Sequence, residues 1–132
     1  MKTETPKVDQ RTQALWAADC AERVLSFFES ERPNDKRPRQ TIAAARTWAL
    51  GEITVGAART AAFAAHAADR EAHTPAAVAA ARAAGHAAAT AHVASHAPHA
   101  AEYALKAVAA SDPEALDAER EWQHNHHPKS KA

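Results

Sequence analysis

The richest apolar pattern in the chain lies near its start, where Leu15, Trp16, Val24, Leu25, Phe27 and Phe28 recur at spacings that favour one helical face. They predict a first helix over about Asp9–Glu31, the main source of bulk for a core. The segment ERPNDKRPR that follows carries two prolines and alternating charge, which disfavours helix and predicts an exposed loop at 32–38. A second helix is expected over about Arg39–Leu50. Gly51 then sits where a left-handed cap is wanted, and Thr54 is placed to accept the first amide bonds of a third helix reaching about Ala72. Thr74 before Pro75 is a capping residue followed by a first-turn proline, and it opens a fourth helix of about Pro75–His96. Pro98 lacks an amide proton and crowds the carbonyl four residues back, so the chain kinks or restarts as a fifth helix over about Pro98–Ala110. Asp112 before Pro113 repeats the capping signal and opens a sixth, carrying Leu116 and Trp122 to about His126. Residues 1–8 and 127–132 read as frayed ends.

Composition settles the fold class. Alanine occupies 39 of the 132 positions, and 32 of these fall between Ala43 and Ala110. Alanine has the best helix propensity, while strands favour the β-branched and aromatic residues that are scarce here. The expectation is an all-α protein: a single domain spanning 1–132, an array of about six closely packed helices. The fourth helix is apolar on nearly every side, with Val78 and Val93 as its larger side chains, and is expected at the centre of the array.

Sixteen basic and 16 acidic side chains cancel, with a pI near 7.1, so the chain lacks the basic footprint of a nucleic-acid binder. His, Arg and Asp interrupt the alanine tract too often for an 18-residue apolar span, and no membrane segment is expected. The lone Cys20 and the polar start MKTETPKVDQ point to a cytoplasmic protein. Three glycines in all leave no phosphate-cradling loop, and no nucleophile elbow or paired-cysteine motif is present. No enzymatic activity is expected.

The nine histidines are the main candidates for chemistry. His92, His96 and His99 fall at i, i+4 and i+7, on one face of a continuous helix, with Glu102 and Tyr103 one turn further on. Three imidazoles so placed suit zinc or nickel, which makes a histidine-based metal or small-ligand-binding protein the alternative reading. The other role for them is to fill polar positions between alanine helices and hydrogen-bond locally. Arg59, His66, Arg70 and His73 also line up, and read as a solvated stripe.

Four segments together carry a family resemblance: WAADCAERVLSFFE at 16–29, the run from Arg37 to Glu71, ARAAGHAAATAHVASHAPHAAEYALKA at 81–107, and EREWQ at 119–123. The most specific parts are Trp48, Gly51 and Glu52, the AHVASH run, and Trp122 with Gln123. The chain resembles the immunity proteins of bacterial polymorphic toxin systems, in the immunity-family-five-like group, over nearly its whole length. It departs from that pattern at Pro98 and in the histidine-rich end. The resemblance implies a cytoplasmic helical protein that binds and neutralises a cognate toxin without cofactor or catalysis. Binding surfaces use aromatic and arginine anchors inside a polar rim, so Arg37, Arg39, Trp48, Glu52 and Trp122 are the candidate contact residues. Self-association through an exposed alanine face is a third reading.

Overall fold

The computed structural model describes residues 9–131 and, among them, contains helices and no strand. The α-helices are α1 (Gln10–Glu22), α2 (Leu25–Glu31), α3 (Arg37–Ala49), α4 (Val55–Glu71), α5 (Pro75–Ala89), α6 (His96–Ser111) and α7 (Leu116–His126). Short 3-10 turns cover Pro113–Ala115 and Pro128–Lys131. Expected fraying at 1–8 lies outside the described residues. At the other end the chain forms the second 3-10 turn where fraying was expected.

The caps hold where side chains dictate them. Thr54 and Thr74 each accept the amide of the residue three on, Ala57 and Ala77, at 3.1 Å. Gly51 has φ of 80°, and the Gly51 and Glu52 amides donate to Trp48 and Thr47 carbonyls at 2.8 and 3.0 Å, a Schellman arrangement that requires a left-handed residue. Glu31, at the end of α2, accepts from the His73 and Thr74 amides and the Thr74 hydroxyl, tying α2 to the start of α5.

Three boundaries differ from expectation. The first helix is two, broken at Arg23–Val24, where Val24 has φ of −114°. No proline or glycine causes the break. It lets Val24 and Phe28 both become fully buried, and Arg23 fork onto Glu119 of α7. The exposed loop ends early: Pro38 lies in the first turn of α3 and is buried, and Asp35 accepts the Arg37 amide. Finally, α5 stops at Ala89 rather than His96. Gln10 of α1 donates to the Thr90 and Ala91 carbonyls, and a turn over 90–95 leads into α6. Pro98 therefore sits in the first turn of a new helix, where its missing amide costs nothing.

Helix α5 is the axis, in contact with α1, α2, α3, α4 and α6. Nine of its residues are buried, eight of them alanine and the ninth Gly85. Small side chains let backbones approach, so the core closes with few bulky groups, chiefly Phe28, Val24, Trp16 and Ile42. The molecule's own helices cover this alanine surface of α5. A smaller cluster of Ala14, Trp48, Ala49, Ala58 and Ala91, with Ile53 against it, closes the far end. Trp16 donates its indole proton to the Gln123 carbonyl, and the Gln123 side chain donates to the Ala101 carbonyl, which fixes α7.

Candidate functional site

Imidazoles that the sequence spreads over three elements meet around His86, in the last turn of α5. Its ring stacks on Tyr103 of α6, with centroids 5.2 Å apart and planes 9° from parallel. His66 of α4 stands 5.3 Å away, and His96 and His99 of α6 at 5.1 and 5.5 Å. His86 and His96 share an Nδ1 to Nδ1 hydrogen bond of 2.9 Å. One nitrogen must donate and the other accept, so the bond stands only while a single proton lies between them.

The local sequence explains how His66 gets in. A Cβ on Gly85 would lie 2.6 Å from His66 Cε1 and Nε2. Glycine inside a helix costs about 1 kcal/mol relative to alanine; in a helix built almost wholly of alanine, this glycine is the notch that receives the ring. His66 Nδ1 also lies 3.2 Å from Asp69 Oδ2, and Arg82 Nε lies 3.6 Å from the same oxygen. Asp69 is buried, and two cationic or imidazole partners already share it.

Burial pushes the His86 imidazole down to about 4, with the neighbouring His66, His96, His99 and Arg82 acting in the same direction. His96 is lowered too, mainly by burial and then by His99 and His92. Both are therefore neutral at pH 7. Beside them a cleft of about 150 Å³ is lined by Arg59, Ala62, Phe63, His66, Ala89, His92 and His96. Phe63 is 64% exposed, with the Arg59 guanidinium 6.0 Å above its ring. On the other side of Tyr103 lies a groove of about 420 Å³, floored by Pro75, Val78 and Ala79 and rimmed by His73, Arg82 and Lys106.

The metal triad of the alternative reading is not assembled among the described residues. Because α5 ends at Ala89, His92 lies on the exposed turn and not on the helix that carries His96 and His99. Among the described residues, no group of three or more His, Cys, Asp or Glu side chains is placed to share a metal ion. The zinc or nickel reading therefore lacks a donor set in this arrangement. Cys20 is buried, and its thiol is pushed up to about 12 by burial first and by Asp19 and Glu119 next. A thiol so held is an inert core group.

The five candidate contact residues do not share a face. Arg37 is half-buried, bonded to Asp35 and 3.2 Å from Glu71. Arg39 is exposed and forks onto Glu29 at 2.8 and 2.6 Å. At the opposite end of α3, Trp48 is 7% exposed, with Arg11 over its ring; it is a core wedge. Glu52 is exposed beyond Gly51. Trp122, on α7, is sandwiched between His126 and the Arg23 guanidinium, 4.2 and 4.1 Å away. Sequence reasoning missed His86 and Phe63, placed Tyr103 beside the metal stripe rather than against His86, and placed His66 on a solvated stripe. The signal that pointed to them was Gly85 beside His86, a lone glycine with no turn to serve.

These features define an all-α protein whose histidines gather beside a cleft. By sequence the chain belongs to the Imm-5 like putative immunity protein family, whose model matches residues 3–130. No curated protein and no solved structure matches it. No helix among the described residues is long and apolar enough to cross a membrane.

Proposed function

We propose that this protein binds a cognate bacterial toxin domain and neutralises it by covering part of its surface, with no chemistry or cofactor of its own. The family match across residues 3–130 carries the reading. An inhibitor of this kind must hold its target at about nanomolar concentration, which corresponds to about −12 kcal/mol. Affinity of that size usually rests on a few central anchors. Of the sequence candidates, Arg39 and Glu52 keep exposed side chains able to serve.

The test is co-expression with the toxin domain encoded beside this gene. Cells should survive, and a one-to-one complex should elute by size-exclusion chromatography. Cell death while both proteins are soluble, with no complex on the column, would overturn the proposal.

A further inference from the structure

We infer that the toxin docks on the face formed by α4, α5 and α6, with an acidic stretch of its surface lying over the Phe63 cleft and its carboxylates facing Arg59, His92 and His96. This deepens the immunity reading and rests on it.

Three observations carry it. The face offers an anchor: Phe63 is 64% exposed beside a concave cleft, and Val55 of α4 and Val93, next in sequence to the cleft residue His92, are exposed too. An aromatic group at the rim of a pocket is the usual centre of a protein interface. The face is also short of anions. Arg59 and Arg70, on one stripe of α4, make no ion pair with any described residue, Asp69 is already shared by His66 and Arg82, and Glu102 pairs with Lys106. By contrast, Arg23, Arg32, Arg37, Arg39 and Arg46 each hold a carboxylate of this chain. Finally, the imidazoles are crowded: His86 meets His66 and Asp69 from α4, Arg82 from its own helix, and His96, His99 and Tyr103 from α6, with His92 beside them on the turn. Carboxylates brought against this cluster would favour its protonation, so binding should strengthen as the pH falls. Nucleic acid fits less well. Arg59, Arg70, Arg82 and Lys106 are too few fixed cations for a phosphate backbone, and an exposed Phe anchor suits a protein.

The experiment measures binding of the neighbouring toxin domain by calorimetry, with thermal melts of every variant. Arg59→Glu and Phe63→Ser alter exposed side chains and should melt like wild type, yet weaken binding by about 30-fold or more. Arg120→Ala, an exposed change on α7 away from this face, should bind like wild type. Wild-type affinity should fall with added salt and rise as the pH is lowered below the ordinary histidine value of 6.5, where His96 and His86 of the free protein are still neutral. If wild type binds and the α4 variants bind equally well, the face is wrong while the immunity reading stands. Affinity indifferent to both salt and pH would overturn the acidic partner. If wild type does not bind the toxin at all, the immunity reading fails and this inference falls with it. Saturable binding of a 20-base-pair DNA duplex instead, lost in Arg59→Glu, would assign the face to nucleic acid and overturn it too.

Discussion

Two sides of this molecule carry comparable numbers of cationic or imidazole groups and treat them in opposite ways. On the α1–α3 side five of the six arginines hold a carboxylate and Arg11 donates to the Trp48 carbonyl: Arg46 reaches Asp19 and Glu22, Arg39 forks onto Glu29, and Arg37 bonds Asp35. Arg23 takes the buried Glu119 in a two-point contact. On the α4–α6 side Asp69 serves two partners, four imidazoles crowd one another, and Arg59 lies over a phenyl ring. The first arrangement is complete within the chain. The second would gain from added negative charge, and this difference separates a structural surface from a receptive one in a protein whose overall charge is zero.

Helix α5 supports both sides, so damage to it should exceed anything done to either. Ala88 is fully buried, and Ala88→Leu should cost roughly 1 to 3 kcal/mol through overpacking, read from urea melts. A loss smaller than the error of the melt would mean that the alanine core is loosely filled. Next in size comes the contrast between the sides. Removing the buried carboxylate with Glu119→Ala strands the Arg23 guanidinium and should cost about 1 to 2 kcal/mol, discounted because Arg23 is partly exposed. His99→Ala, which deletes one crowded imidazole from the other side, should stay within about 0.5 kcal/mol of wild type. Equal losses in the two variants would erase the distinction.

Acid should take the two sides apart in separate windows. His86 is held at about 4 against an ordinary 6.5, so as pH falls the unfolded chain takes up its proton first. Its contribution is full above 6.5, is lost between 6.5 and 4, and changes no further below that. His96 acts in the same direction. Asp35 is held at about 2 by the Arg37 guanidinium, against an ordinary 3.8, so its contribution persists above 3.8 and is lost as the pH falls towards 2. Urea melts across this range should show that His86→Gln removes much of the upper loss and leaves the lower one. Asp35→Asn should do the converse. A His86→Gln protein that loses as much stability as wild type between pH 6.5 and 4 would show that burial of this imidazole is not what the upper window reports.

Much of the fold was legible because alanine content and capping residues are local signals. Thr54, Thr74, Pro75 and Gly51 marked their boundaries in the sequence and perform the expected contacts. The missed boundaries have tertiary causes: the break at Arg23–Val24 answers to Glu119 in α7, and the end of α5 to Gln10 in α1, partners about 80 to 100 residues away that no local window contains. The site fared worse for the same reason. Spacing along a single helix suggested His92, His96 and His99, whereas the cluster that forms draws on α4, α5 and α6 and centres on His86. Trp48 and Trp122 have the residue type of anchors, yet arginines and the core already cover them.

The smallest expected effect on stability tests how the receptive side is made. Gly85→Ala removes the helix cost of glycine, about 1 kcal/mol in favour of the variant. It also sets a methyl group where the His66 ring now lies, at a separation of 2.6 Å that atoms cannot keep. The ring is partly exposed at the end of a side chain with room to turn outward, so the two effects should nearly cancel and the melt should shift little. What should change is the arrangement: His66 would leave Asp69, and the cleft beside Phe63 would lose one wall. Proton-detected titration of the imidazoles by NMR reads this directly, through a changed His66 signal in an otherwise intact spectrum. A Gly85→Ala protein that is clearly stabilised, with His66 unchanged, would mean that the glycine is not the notch that admits the ring.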